Sequence, residues 1–301
     1  MVSFFFRLAR REKKPQLDAI LGRLVPSVRA QWRNRDGHSL LHLAAYENRP
    51  ELAARFIQQG VPRAAKSRFE MTAAELAQFL GHEAFLRALG EDKDDRPLLV
   101  YRNRESRVRP LSRALFEQKL GMTYLDHLVF EKGADLLWLA KKSKRRLQRK
   151  ALKKSNNWML ALHEQALRHT RFDHICVRWI DPFLGYGVFA AKTLPALTFI
   201  GTYTGVVKMR TRKNTRHNDY IFGYLTGPSD APYIIDAREK GNFTRLINHS
   251  IEPNLISRWI IIQGVTQIAF FSKEAIPKGK QLTYDYGGYY WKKRSDPMVI
   301  K

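Results

Sequence analysis

Arg245-Leu-Ile-Asn-His-Ser-Ile-Glu-Pro-Asn254, followed downstream by Gln281-Leu-Thr-Tyr-Asp-Tyr-Gly287, decides how this chain is read. Asn248 and His249 are adjacent polar side chains directly after an apolar pair, Leu246 and Ile247. Ser250, Pro253 and Asn254 are turn formers, so a sharp bend is expected just beyond the two polar residues. In the second stretch Tyr284 and Tyr286 alternate about Asp285, at the end of a segment that reads as a strand and closes on Gly287 and Gly288. Two rings at period two lie on one face of a regular strand.

Outward from these stretches, from Ile175 onward, the pattern is one of short apolar runs broken by Gly and Pro. Residues 176–180, 187–190, 199–203, 221–225, 233–235, 257–262, 267–272 and 281–286 all read as strands. Their number and brevity predict a mostly-β unit of several small sheets. Gly185-Tyr-Gly-Val-Phe-Ala190, Ile200-Gly-Thr-Tyr-Thr-Gly205, Ile234-Ile-Asp-Ala237 with Gly241 and Asn242, and Ile276-Pro-Lys-Gly279 punctuate it in order.

Together these motifs resemble, in sequence order and spacing, those of SET-domain protein lysine methyltransferases, over about residues 175–290. The resemblance implies a SET fold with a C-terminal pseudoknot, S-adenosylmethionine as cofactor, and methyl transfer to a protein lysine; no metal is expected, on the count of a single cysteine. It assigns Tyr286 as the catalytic tyrosine, Tyr203 as lining the lysine channel, and Tyr284 as the residue that tunes how many methyl groups fit. A Tyr at 284 predicts mono- or dimethylation. For the cofactor it implies Gly185, Tyr186 and Gly187 at the methionine portion, and Asn248 and His249 at the amino group and adenine. Arg245 braces the same turn, Tyr286 stands beside the methyl group, and Tyr220 and Trp291 are further wall residues. Taken singly, an Asn-His pair is more often a satisfied turn, and a buried tyrosine a packed ring; their joint occurrence in motif order reverses that. Thr202 and Val206 depart from the acidic residues the family often carries beside its Tyr-x-Gly strand. Cys176 is the only cysteine, so neither a disulfide within the chain nor the multi-thiolate zinc segments of many SET proteins can form. The wall after the last motif is left to Gly288-Tyr-Tyr-Trp-Lys-Lys-Arg294.

Upstream, Ser39/Thr72, Leu43/Leu76 and Ala44/Ala77 repeat at an offset of 33 residues. This is the ankyrin period, and residues 1–95 look like two ankyrin-type repeats, with 17–25 as a capping helix and the apolar start packing as another. Two repeats bury too little alone, so helices from 111–139 are expected to cover the far end. Residues 96–170 read as a basic helical linker or cap, and 171–301 as the SET domain. The helical repeats serve either as a plain stack or as a module that binds a protein partner.

The 301 residues carry 53 Lys and Arg against 28 Asp and Glu, a formal +25, which suggests an acidic partner. Residues 141–154 hold nine basic and no acidic side chains, and read as a solvated helical face, a nucleic-acid footprint or a nuclear-import address. Length allows one large core or, as the preferred reading, two smaller ones. No apolar run is long enough to span a membrane, and the start lacks the pattern of a secretory signal. The expected fold class is α+β in two parts: a helical ankyrin-like module and linker, then a mostly-β SET fold. The expected function is methylation of a protein lysine, with histone in chromatin first. The competing reading is a non-catalytic scaffold that binds nucleic acid or a protein through its basic surface. Cytoplasmic or nuclear localisation is expected, and the ankyrin–SET combination is similar to effectors that intracellular bacteria secrete into host cells.

Overall fold

The structure is a computed structural model that describes residues 25–91, 98–101, 108–132, 135–168, 172–224 and 232–291. The expected helices at the start of the chain lie outside these residues, as does the wall beyond Trp291.

A short helix, α1 (Pro26–Gln31), precedes two helical hairpins: α2 (Leu40–Tyr46) with α3 (Pro50–Gln58), and α4 (Ala73–Leu80) with α5 (Glu83–Ala88). The 33-residue offset is visible in their caps. Ser39 and Thr72 both close capping boxes at the N-termini of α2 and α4, where a side-chain oxygen satisfies an orphan N–H of the first turn. His42 completes the first box through Nδ1 and reaches the Met71 carbonyl with Nε2 at 2.9 Å, joining one hairpin to the next. Residues Leu41, Ala44, Phe56, Leu76, Ala77 and Phe85 are almost fully buried between the hairpins.

The stretch 96–170 departs from the helical expectation. It contains β1 (Leu98–Tyr101), β2 (Val108–Leu111), α6 (Arg113–Leu120), β3 (Thr123–Tyr124), β4 (Val129–Phe130), α7 (Leu136–Arg146) and α8 (Lys150–Arg168). The far end of the hairpins is covered by the β4 region instead of by helices. Phe79 meets Phe130 and His127 edge-on at 6.2 and 6.3 Å, and His127 Nε2 lies 3.1 Å from the Gln78 carbonyl. The basic run 141–154 falls on the end of α7, the turn 147–149 and the start of α8.

The remaining strands are β5 (Ile175–Asp181), β6 (Gly185–Ala190), β7 (Phe199–Thr202), β8 (Val206–Met209), β9 (Ile221–Tyr224), β10 (Tyr233–Asp236), β11 (Lys240–Gly241), β12 (Asn248–His249), β13 (Leu255–Ile262), β14 (Val265–Ser272) and β15 (Thr283–Tyr284). A one-turn helix, α9 (Arg212–Thr215), follows β8; a 3-10 turn spans Phe243–Leu246, and α10 (Gly288–Trp291) ends the described chain. They form small sheets in the orders β2-β1-β5-β6, β4-β8-β10-β9, β13-β14-β7, β11-β3 and β12-β15. Strands β1, β3 and β4 thus pair with strands that come later in the chain, and β2 pairs with β1 alone.

One continuous apolar core runs from Leu40 and Phe56 in the hairpins to Phe243, Phe270 and Tyr284 in the sheets. This corrects the expectation of two separate cores. The smaller cluster, Met159 and Leu167 of α8 against Phe199, Ile260 and Phe271, only fastens that helix to β13, β14 and β7. Among the described residues no helix is long and apolar enough to cross a membrane.

Candidate functional site

The two motif stretches meet as adjacent parallel strands. Asn248 pairs with Thr283 and His249 with Tyr284. On its other side residues 281–282 reach β6, through the Phe189–Gln281 bridge and the 2.7 Å bond from Leu282 N to the Val188 carbonyl. Asn254 fixes the register: its Nδ2 donates to the Gln281 carbonyl at 2.8 Å, and its Oδ1 accepts from Thr283 N at 3.0 Å. The last residue of the first motif therefore clamps the second.

Past β15 the chain turns on Asp285, which accepts from Gly287 N at 2.8 Å. Tyr286 is held at both ends, its N–H donating to His249 Nδ1 at 3.1 Å and its hydroxyl to the Ile247 carbonyl at 2.9 Å. The Tyr286 ring lies 4.8 Å from Tyr284, 5.3 Å from His249, 4.8 Å from Tyr290 and 6.4 Å from Trp291, which is nearly parallel to it. Tyr284 continues the chain of rings to Phe270 at 4.8 Å and to Phe222, stacked at 6.0 Å. Phe222 reaches Tyr203 at 5.2 Å and Trp259 at 6.3 Å. Tyr203 is set by the bond from its N–H to the Ile268 carbonyl, 2.8 Å long. The strand before it can press on the 3-10 turn only because residue 201 is Gly: a Cβ there would stand 2.8 Å from the Phe243 ring.

Tyr203, Tyr284, Tyr286, His249 and Trp291 thus form one connected wall. Phe222, Trp259 and Phe270 belong to it and were not singled out by sequence, and Tyr290, from the stretch 288–294 expected to build the wall after the last motif, joins them. Tyr220, just before β9, and Phe222 within it stand two residues apart, a spacing that could have pointed to a shared face; Phe270 sits in a uniformly apolar run that marks only burial.

Tyr220 and Arg245 make a second group beside the first. The Arg245 guanidinium lies 3.8 Å from the Tyr220 ring centroid, and its Nη1 donates to the Ala237 carbonyl at 2.9 Å. Below them Asp236 accepts from Asn218 Nδ2 at 2.9 Å and pairs with Lys208 at 2.7 Å, while Asn218 Oδ1 accepts from Tyr220 N at 3.0 Å. Burial pushes the Asp236 carboxyl up, but Lys208, Asn218 and the Arg238 N–H outweigh it and hold the group below its ordinary value.

Gly185, Tyr186, Gly187 and Asn248 lie together on the β6 side. Asn248 Nδ2 approaches the Tyr186 carbonyl at 3.3 Å, and Tyr186 packs edge-on against Trp179 at 5.1 Å. The space a Cβ at 187 would need is filled by Ile180 and Gln281, at 2.7 and 3.0 Å. That glycine is thus required by packing within the chain.

The electrostatics of the wall are those of neutral phenols. Burial raises the pKa of Tyr203, Tyr284 and Tyr286, and a neighbouring phenol raises each further. None of them ionises in the range where proteins work. The His249 pKa is lowered by burial, only partly offset by Asp285. Its Nδ1 accepts from Tyr286 N, so its proton sits on Nε2, a buried atom without a partner among the described residues. Trp291 Nε1 and Gln281 Nε2 are likewise buried donors without a described partner. Orphaned ring and amide N–H groups beside aromatic rings fit a ligand that offers acceptors on a flat heteroaromatic body. Exposed Asp219 and Asp285 lie within electrostatic reach of Tyr286 and His249, at one end of this wall.

Residues 185–287 match the SET domain family. Over 108 residues the chain is 36% identical to the histone-lysine N-methyltransferase SETD2 of Mus musculus, a match that covers 34% of this chain and 4% of that protein. It is 35% identical over 112 residues to the histone-lysine N-methyltransferase EHMT1 of Mus musculus, covering 36% of this chain and 9% of the relative. A solved structure of KRYPTONITE in complex with mCHH DNA, an H3(1-15) peptide and SAH aligns at 31% identity and a TM-score of 0.32, covering 38% of this chain and 23% of that one. The likeness thus spans about a third of the chain, and the chain spans only a small part of these curated relatives.

Proposed function

We propose that the wall built from Tyr203, Tyr284 and Tyr286 transfers a methyl group from S-adenosylmethionine to a protein lysine, with histone in chromatin as the substrate. The observation that carries this reading is the convergence of three neutral phenols, the buried Tyr203 and Tyr284 and the half-buried Tyr286, around the parallel pair β12–β15. It sits within the stretch that matches the SET domain family, whose matched relatives are histone-lysine methyltransferases.

When bound, S-adenosylmethionine supplies the electrophilic methyl carbon of an in-line displacement. Asn248, His249, Trp291 and the backbone of Gly185, Tyr186 and Gly187 would hold it, with Tyr220 and Arg245 closing the far wall. The rings of Phe222, Trp259 and Tyr284 line an apolar channel in which an ammonium is poorly solvated, so the lysine loses its proton to water before it reacts. The hydroxyls of Tyr203 and Tyr286, un-ionised, orient the free amine and accept weak CH···O contacts from the polarised methyl. Alignment of this kind can remove up to roughly 7–11 kcal/mol of barrier. Asp219 and Asp285 at the rim favour a basic peptide over the rest of a strongly basic chain. A Tyr at 284, buried and stacked on Phe222, limits the room for methyl groups and favours mono- or dimethylation.

We read the hairpins 40–88 as two ankyrin-like repeats that can take a protein partner, the C-terminal segment as the family's pseudoknot, and the basic helices 141–154 as a contact for nucleosomal DNA. Their combination suits a bacterial effector acting on host chromatin. The test is transfer of labelled methyl from S-adenosylmethionine to intact nucleosomes and to free histone-tail peptide over a range of salt. Transfer to nucleosomes should exceed that to peptide and fall as salt rises. Equal, salt-insensitive rates would rule out the chromatin part, and absence of any transfer would rule out the enzyme.

A further inference from the structure

The basic helices do not stand alone. Two turns that each precede a hairpin, at residues 35–37 and 68–70, stack on each other: Arg68 N donates to the Asp36 carbonyl at 2.9 Å, and Gly37 and Glu70, 33 residues apart, both take positive φ. Helix α7 is fastened across these turns. Lys141 pairs with Asp36 at 2.7 Å, and Lys144 Nζ donates to the Arg68 carbonyl at 2.7 Å. Asp36 is thereby spent on the helix, while the side chains of Arg35, Arg68, Lys144 and Arg145 are exposed. A tight turn joins α7 to α8 without a spacer, and the first turns of α8 present Lys150, Lys153 and Lys154 to solvent.

The surface is also rigid. Ser143 of α7 is fully buried against Thr266 at 2.9 Å, and Asn156 of α8 exchanges two bonds with the Ile261 backbone, at 3.0 and 2.7 Å. Positive charge on fixed helices and stacked turns is preorganised for a regular array of phosphates, and exposed Lys and Arg without a base-reading groove give contacts that are independent of sequence.

We propose that the turns carrying Arg35 and Arg68 and the helices carrying Lys144 to Lys154 form one footprint for double-stranded DNA, so that the helical repeats bind the polyanion directly. The choice of DNA rests on the chromatin substrate proposed above; the charge arrangement by itself asks only for phosphates. The measurement is fluorescence anisotropy of a labelled duplex of mixed sequence with the full chain, without cofactor, as a function of salt. The Arg35→Gln/Arg68→Gln variant should lower the slope of log K against log salt by about two, since each lost phosphate contact removes about 0.9. Arg35→Lys/Arg68→Lys, which keeps the charge, should leave the slope unchanged, and Lys150→Gln/Lys153→Gln/Lys154→Gln should lower it by about three. An unchanged slope in the Arg→Gln variant with a reduced one in the Lys→Gln variant confines the footprint to the helices and overturns the proposal. Unchanged slopes in both, or tighter binding to duplex RNA or to phosphatidylserine vesicles at equal salt, overturn it as well. Methyl transfer is not read in any arm, so this outcome and that of the catalytic reading are independent.

Discussion

Tyr286 is the residue on which most contacts of the site converge: its N–H, its hydroxyl and its ring each have a separate partner. Removing the hydroxyl in Tyr286→Phe keeps the ring contacts and forfeits only the bond to the Ile247 carbonyl. Melting temperature should shift by a few degrees at most, while methyl transfer falls by a hundredfold or more. Tyr284→Phe opens space in the channel, and intact-mass spectra of the product should move toward higher methylation states; an unchanged distribution would remove Tyr284 from the control of product. Because burial holds the tyrosine pKa values above their ordinary value, the rate at subsaturating lysine should rise with pH as more free amine is present, and show no fall near pH 10 from a phenol. On the acid side, protonation of His249 Nδ1 displaces the Tyr286 N–H. The lowered His249 pKa keeps that bond intact down to pH values below about 6.5, and cofactor affinity measured by calorimetry should weaken only beneath that point.

At the scale of elements, the β13–β14 hairpin ties the helices to the aromatic wall. Its turn residues Gln263 and Gly264 both have positive φ, and a Cβ on Gly264 would meet Phe69 and Ala140 at 3.1 and 3.2 Å. Gly264→Val places a branched side chain in a left-handed conformation against a packed contact, and should destabilise the fold by about 2–4 kcal/mol, read by denaturant titration. The same hairpin carries Trp259 and Phe270 into the wall. It was legible as two strands, and so were β5, β6, β7, β9 and β10, because each is an apolar run closed by turn residues. Strands β1 to β4 and β8 were not. The paired residues of β3 and β4 are too few to show a period. Pro110 in β2 reads as a strand breaker, yet sits on the edge of its sheet, where a missing N–H does no harm. The parallel pairings β4–β8 and β3–β11 join residues far apart in the chain, and no local pattern encodes them. The motif order brought out the tyrosines, the Asn248-His249 turn and the stretch that holds Tyr290; Phe222, Trp259 and Phe270 complete the wall through tertiary contact alone.

At the scale of the molecule, one core spans the helices and the sheets, so damage to the hairpins should reach the site. His38 and His42 are buried with lowered pKa values, His38 to about 4, chiefly through desolvation. The unfolded chain takes up protons at these groups first, so stability is full above pH 6.5 and is lost as pH falls from there toward 4. For His38 alone the loss amounts to roughly 3 kcal/mol. Urea denaturation at pH 7.5 and pH 5 should show it, and a pH-independent midpoint would mean that these rings do not stay neutral. Methyl transfer by this chain stands or falls on chemistry at Tyr286. Nucleosomes incubated with the full chain and S-adenosylmethionine bearing a deuterated methyl group, then digested and analysed by tandem mass spectrometry, should carry the label on lysine side-chain nitrogen with the wild-type chain and not with Tyr286→Phe. Label on another residue type, or equal labelling by the two proteins, would contradict it.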